Sequence, residues 1–374
     1  MAVAVFGMAI GGTSIATTHA AQKPKASSHK LSLKFFEAGA KAAEHSFPTH
    51  FEGPKKAVKA PKNIKIAVIS CNSALSGCES PVIGAEHAAK ALGWQVQTYD
   101  GGGNPQTQNK DMLNAISWGA NVILNVAIDP NLVQQGLQAA KAHGVIVGSG
   151  SNGIDAPNPI VKPAKGKLTY AFDVSPNYIA LGKGLADWFI VNSKGKGNLA
   201  FFSDPEFPSV KAIEQGFLSE VKKFHGIKVS APINFTSTQV GTPLAQMTVG
   251  YLRAHPSVNW VWSPEDPAAA VQVSAIQQAG MASKVKLMSQ VGSQQNINFI
   301  RSGQVQVADA AYDNEYMGWA MVDQSIRLLD KKPLATPHNE NDPYIVITKS
   351  NLPPAGADWH APFNYQAAFK RLWK

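Results

Sequence analysis

Cysteine is almost missing from this chain of 374 residues: there are two, Cys71 and Cys78. They do not form a Cys-x-x-Cys motif, and no other paired ligand spacing supports a metal cage. Charge is sparse as well. Asp, Glu, Lys and Arg make up 16% of the residues against 44% hydrophobic, which excludes a disordered or coiled-coil chain. Past the first residues, no apolar run approaches the roughly 18 residues that span a bilayer, so the protein is not membrane-embedded. Catalytic signatures are lacking too. There is no Gly-x-Ser-x-Gly elbow. His87 stands in Ala-Glu-His-Ala-Ala without zincin spacing. The three glycines between Asp100 and Asn104 lack the Lys-Ser/Thr or Gly-x-Gly-x-x-Gly pattern of a phosphate cradle. No enzyme activity, metal or cofactor is expected.

The net charge of +9 is concentrated in one segment. Between Gln22 and Asn63 stand nine Lys and three Glu, while residues 1–21 are uncharged. The other 311 residues therefore share a surplus of only three positive charges. A nucleic-acid face would need clustered Arg and aromatics, so no nucleic-acid partner is expected. Residues 1–20 read as an export signal, with an apolar run from Ala2 to Ile10 and cleavage after Thr18-His19-Ala20. Residues 21–62 form a Lys/Pro-rich leader with one helical patch near Leu33 to Glu44. Export implies an oxidising compartment, where a lone cysteine pair favours a Cys71–Cys78 disulfide. Leu75-Ser76-Gly77-Cys78 imitates a lipoprotein box but follows a strand rather than the signal core, so no lipid anchor is expected.

What is abundant is punctuation. Asn104-Pro105, Asp129-Pro130 and Asp266-Pro267 each follow an apolar run of strand character and precede a stretch with helical periodicity. Asn or Asp accepts from free helix N–H groups, and Pro at the first helical position gives up an N–H that had no partner. Strands over Ile64–Ile69, Trp94–Tyr99, Val122–Val126 and Val145–Val147 alternate with helices, and the same grammar restarts at Leu199. The fold class expected is α/β: two similar, doubly wound parallel-sheet lobes.

Several stretches carry a family resemblance. Leu252-Arg253-Ala254-His255-Pro256-Ser257-Val258-Asn259-Trp260-Val261-Trp262 is similar to the helix-turn-strand of ribose-binding-protein-like proteins, the type I periplasmic binding proteins of bacterial ABC sugar importers. Gly84-Ala85-Glu86 through Gly93-Trp94, Asn104-Pro105 through Gly119-Ala120, and Glu214-Gln215-Gly216-Phe217 resemble further family elements. The resemblance spans about residues 62–350. It implies a periplasmic, monomeric solute-binding protein whose partners are a small sugar-like ligand and an ABC permease. It also implies three hinge crossings, near Phe172-Asp173, Tyr312-Asp313 and Asp342-Tyr344. The first lobe would be 63–172 plus 313–342, and the second 173–312 plus 343–374. A sensor module serving a chemoreceptor or histidine kinase is the alternative, as is a non-sugar metabolite as ligand. A transcription regulator core fits neither the leader nor the absence of a helix-turn-helix before Ile64.

Ligands of open α/β sheets bind beyond the carboxyl ends of the strands, and the candidate residues follow from that. In the first lobe they are Asn72, Ser73 and Glu79 in the turn Ser70–Ser80, then Asp129, and Ser151 and Asn152. The last two lie in Gly148-Ser149-Gly150-Ser151-Asn152, which stands where the family commonly carries an Asp-Arg fork. In the second lobe they are Asp204, Phe207, Lys211, Phe235, Glu265, Asp266, Gln290 and Tyr312. Asp129 and Asp266 are read as caps first, each with one oxygen to spare, and Glu265 as the freer carboxylate. For each aromatic taken alone core packing is the expected role; of Trp260 and Trp262 only one could face the cleft, Trp262 being nearer the strand end.

Overall fold

The structure is a computed structural model that describes residues 31–45, 47–155, 157–158 and 164–374. The export signal and the start of the leader lie outside the described residues. In the leader, α1 (Leu33–His45) is present, with Phe36 and Ala40 buried. Phe51 then packs its ring edge-on to Phe369, and Val58 bridges to Trp373. The described part of the leader thus lies along the body.

The chain next lays down β1 (Lys65–Ser70), α2 (Ser76–Ala91), β2 (Gln95–Asp100), α3 (Pro105–Trp118), β3 (Val122–Val126), α4 (Gln134–Ala142), β4 (Ile146–Gly150) and β5 (Asp173–Val174). These five strands form one parallel sheet in the order β2-β1-β3-β4-β5. A second series follows: α5 (Tyr178–Asn192), β6 (Asn198–Ser203), α6 (Pro208–Val221), β7 (Lys228–Val229), β8 (Ile233–Asn234), α7 (Thr242–Ala254), β9 (Trp260–Trp262), α8 (Asp266–Gln278), β10 (Lys286–Val291), α9 (Gln294–Ser302) and β11 (Gln306–Tyr312). Finally come α10 (Asn314–Leu329), β12 (Tyr344–Thr348) and α11 (Tyr365–Leu372). The second sheet runs β12-β11-β10-β9-β6-β7, with β8 beside β6. Its one antiparallel pair is β11 with β12.

The second sheet is covered on both faces, and the side-chain alternation of its strands shows it. Phe201, Trp260, Trp262 and Met288 join a core with α5 and α6, while Ala200, Phe202, Val261 and Leu287 join another with Leu244 of α7 and Val273 of α8. Trp260 packs edge-on to Phe189, and Trp262 stacks on Phe201 and Phe217. Residues two apart share a face of a strand, so both tryptophans belong to the α5/α6 core. Both are core residues, as read for each aromatic alone, and neither faces the cleft.

Helix α10 returns to the first sheet and packs on α2. The approach is close enough that a Cβ on Gly84 would meet the Glu315 carbonyl, and one on Gly318 would meet the Ala85 N–H. Helix α11 packs against α10, with Trp319 and Trp373 stacked at 5.4 Å.

The strand-to-helix junctions are less uniform than their sequences. Asn104 caps α3 as expected, accepting from the N–H groups of Gln106 (2.8 Å) and Thr107 (3.2 Å). Asp129 instead accepts from the backbone and side chain of Asn131, closing a local turn, and α4 begins only at Gln134. At the third junction the residue in cap position is Glu265, whose side chain makes no cap bond; Asp266 is already helical. Helix α2 starts at Ser76 and carries Pro81 inside it, so half of the expected turn Ser70–Ser80 is helix.

Candidate ligand cleft between the strand ends

Both parallel sheets point the carboxyl ends of their strands at one cavity. From the first sheet's side come Gly77 and Cys78 of α2, Ala127 just after β3, and Ser151 just after β4. From the second come Phe207, Ser209 and Val210 around the start of α6, Glu265 before α8, Gln290 and Val291 at the end of β10, and Tyr312 at the end of β11. The space left among them is about 20 Å³, room for a single water. The two sides touch: Ser76 Oγ lies 2.9 Å from Ser293 Oγ. Ser151 Oγ lies 2.9 Å from the hydroxyl of Tyr178, whose ring packs edge-on to Tyr312 at 5.2 Å.

Backbone strain gathers here. Ala127 (φ 53°), Ser151 (φ 62°) and Val291 (φ 124°) hold positive φ values, which non-glycine residues avoid at a cost of order 1–3 kcal/mol each. For a β-branched residue such as Val291 the conformation is unusual, and all three line the cavity. Such strain clusters at functional sites.

The electrostatics are lopsided. Glu265 is 6% exposed and its Oε1 has no hydrogen-bond partner. Burial, reinforced by Asp204 and Glu206, raises its carboxyl to about 8. Asp204 is fully buried; one oxygen accepts from the Glu206 N–H and the other is unpartnered. Burial raises its carboxyl to about 7, Glu206 adding to the rise and Lys211 opposing it. Glu214, also raised to about 7 by burial, accepts from Ser203 Oγ at 2.9 Å and Trp262 Nε1 at 3.4 Å. Gln290 donates from Nε2 to the Pro264 carbonyl (2.6 Å), which fixes its amide and leaves Oε1 as an unpartnered acceptor.

The structure sorts the residues expected from the sequence. Ser151, Phe207, Glu265, Gln290 and Tyr312 line the cavity, with Cys78 of the Cys71–Cys78 disulfide beside them. Asp204 adjoins Glu265 electrostatically. Asn152, next to Ser151, is fully buried with its Oδ1 unpartnered. Glu79 does not line the cavity, although its Oε2 is buried and unpartnered. Asn72 closes a turn by accepting from the Ala74 N–H, and Ser73 is exposed, its N–H donating to Asp100. Lys211 is exposed on α6.

Three expectations are corrected. Phe235 is core, packed with Phe202 and Leu244. Asp129 does not line the cavity, and its Oδ1 serves its own turn by accepting from Asn131. Asp266 is consumed by a buried network: it accepts from Ser289 Oγ (2.5 Å) and the Ser293 N–H (2.7 Å), close to Asp309.

Sequence reading missed Ser209, Val210, Val291 and Ala127. A signal for the first two was present. Phe207-Pro208 is a fourth strand-Pro-helix junction, with Pro208 opening α6, hidden because its cap position holds Phe rather than Asn or Asp. Glu214 was read only as part of a resemblance.

A larger hollow of about 1030 Å³ lies between leader residues His50–Val58 and a segment that includes Lys332–Thr336. None of its lining side chains has a buried unpartnered atom. A further hollow of about 550 Å³ is lined by Asp342, whose carboxyl is unpartnered, but only the strand-end cavity is faced by strand ends of both sheets and lined by the orphaned oxygens of Glu265 and Gln290, which makes it the better candidate despite its size.

This arrangement, two parallel α/β sheets facing each other across a cleft at their strand ends, is that of the type I periplasmic-binding fold. The model of the periplasmic binding protein domain matches residues 66–333, and the chain belongs to that family. Among solved structures, the chain is similar to an Agrobacterium vitis ABC transporter solute-binding protein bound with α-D-tagatopyranose (TM-score 0.67, 21% identity, covering 77% of this chain and 96% of that one). A second from Agrobacterium vitis, with bound allitol, has TM-score 0.67 and 16% identity over 78% and 97% of the two chains. The Caulobacter myo-inositol binding protein has TM-score 0.66 and 18% identity over 80% and 98%. No curated protein sequence matches the chain.

Proposed function

We propose that the protein is an exported solute-binding protein. It captures a small polyhydroxylated ligand between two closing lobes and passes it to an ABC permease. The lobes would be 63–172 plus 313–342, joined by α11 (Tyr365–Leu372) because it packs on α10, and 173–312 plus 343–364. The observation that carries the reading is the convergence of strand ends from both sheets on one cavity holding unpartnered acceptors, Glu265 Oε1 and Gln290 Oε1. A buried polar atom without a partner costs about 1–3 kcal/mol, which ligand hydroxyls would recover. A cavity of about 20 Å³ admits no sugar, so entry requires the lobes to part about the hinge crossings. The structural relatives carry tagatopyranose, allitol and myo-inositol, which supports a ligand of that class. Among the described residues no helix is long and apolar enough to cross a membrane. We read the site as one of binding without turnover, acting as a monomer in the periplasm.

A thermal-shift screen of neutral aldoses, ketoses, hexitols and inositols tests the proposal. At least one should raise the unfolding midpoint, and Gln290→Ala should shrink that rise. If none shifts the protein while non-sugar metabolites do, the ligand class is wrong. Hydrolysis of a bound glycoside would contradict the binding-only reading.

A further inference from the structure

The unpartnered atoms at the cleft are of one kind. Glu265 Oε1 and Gln290 Oε1 line the cleft, and Asp204, outside that lining but within electrostatic reach of Glu265, leaves Oδ2 unpartnered; the three side chains are 6%, 1% and 0% exposed. Glu265, Asp204 and Glu206 lie within electrostatic reach of one another, and Glu214 within reach of Asp204. Opposing them is Lys211, which also faces Asp204 and Glu214 but is exposed to solvent. No Lys or Arg is among the described residues lining the cavity. The end of β4 and the turn after it read Gly148-Ser149-Gly150-Ser151-Asn152, without a cation.

Neutral hydroxyls could pair with these groups while they stay protonated, but only a cation would let the carboxyls ionise in place. Ionised carboxylates without a counter-ion are costly to bury, and burial and mutual repulsion accordingly hold Glu265 and Asp204 toward their protonated forms. An ammonium group brings three donors and a positive charge in one compact head, which matches both deficits.

We propose that the cleft selects a polyhydroxylated ligand bearing a protonated amine, an amino sugar or amino polyol, whose ammonium is received by Glu265 with Asp204. This rests on the solute-binding reading and specifies its ligand class. The proton balance follows: the ligand enters as the cation, the Glu265 carboxyl ionises to pair with it, and its proton leaves to solvent. Binding near pH 7 therefore releases protons. Lys211, exposed on α6 and outside the cavity lining, would repel a cation weakly.

Matched pairs test the proposal: D-glucosamine against D-glucose, D-galactosamine against D-galactose, and glucamine against sorbitol. Each is titrated calorimetrically near pH 7 in two buffers of different ionisation enthalpy. The amine of at least one pair should bind about tenfold or more tighter than its neutral partner, with heats that differ between buffers as proton release requires. Glu265→Gln, nearly isosteric, should collapse that preference and the buffer dependence; Asp204→Asn should weaken both. A neutral member binding as tightly as its amine, or a preference unchanged in Glu265→Gln, overturns the proposal and leaves solute binding standing. If neither member of any pair binds, and no neutral sugar or polyol binds, the solute-binding reading falls with it.

Discussion

Asp266 and Glu265 are adjacent carboxylates with different work. Asp266 has both oxygens engaged, by Ser289 Oγ and the Ser293 N–H, and so ties the start of α8 to the end of β10. Asp266→Ala would leave those buried donors unmatched, and unfolding experiments should show a loss of about 2–4 kcal/mol. Glu265 makes no such bond, so Glu265→Gln should cost little stability. The raised carboxyls also set a pH dependence. Glu265, Asp204 and Glu214 stand at about 8, 7 and 7 in the folded protein, above the ordinary carboxylate values near 4 that they regain on unfolding. The folded state therefore holds protons that the unfolded chain has released, and stability falls as pH rises from about 4 to about 8. The buried Asp173, Asp342 and Glu340 act in the same direction. Asp100, whose carboxyl is lowered by the Ser73 N–H, acts in the opposite sense at lower pH. The ligand-free unfolding midpoint should be higher at pH 5.5 than at pH 8, and Glu265→Gln should flatten the difference. A midpoint that rises over this interval would contradict the burial of these acids.

Among the elements, the packing of α2 on α10 depends on two glycines. Added to Gly84, a Cβ would run into the Glu315 backbone, and backbone cannot rotate away as a side chain can. Gly84→Ala should therefore lower stability by about 1–3 kcal/mol, the range for overpacking, measurable by denaturant titration. The Cys71–Cys78 bond joins the end of β1 to the first turn of α2, with a sequence separation of 7. Closing so short a loop is worth about 2.5 kcal/mol in the chain-entropy view. Cys71→Ser/Cys78→Ser should lose roughly that and loosen the cavity wall at Gly77 and Cys78. The junctions show what sequence grammar can and cannot carry. Asn104-Pro105 and Asp129-Pro130 look alike in sequence, yet Asn104 caps a helix and Asp129 closes a turn. Asn131 decides the difference, because its backbone and side chain both donate to Asp129 before a helix can form.

For the whole molecule, the alternation of apolar runs with helical periodicity made the two sheets legible, because buried parallel strands need continuous apolar sequence. Helix α5 was not legible: Tyr178–Asn192 is apolar on most sides, so it offered no amphipathic stripe. The site was legible where a strand end is marked by a Pro, as at Glu265, and at the ends of β10 and β11, where Gln290 and Tyr312 stand. It was obscure where selection of a face depends on three-dimensional neighbours, as at Phe235 and Asp266. The central claim is that the cavity between the strand ends opens to admit a solute and closes over it. Ser76 and Ser293 face each other across it with hydroxyls 2.9 Å apart, which permits a direct test. In Ser76→Cys/Ser293→Cys, oxidation should lock the cleft shut. The sugar, polyol or amine that most stabilises the wild type should then give no binding heat with the oxidised variant and regain it on mild reduction. Equal binding by the oxidised and reduced forms would place the ligand elsewhere and contradict the account.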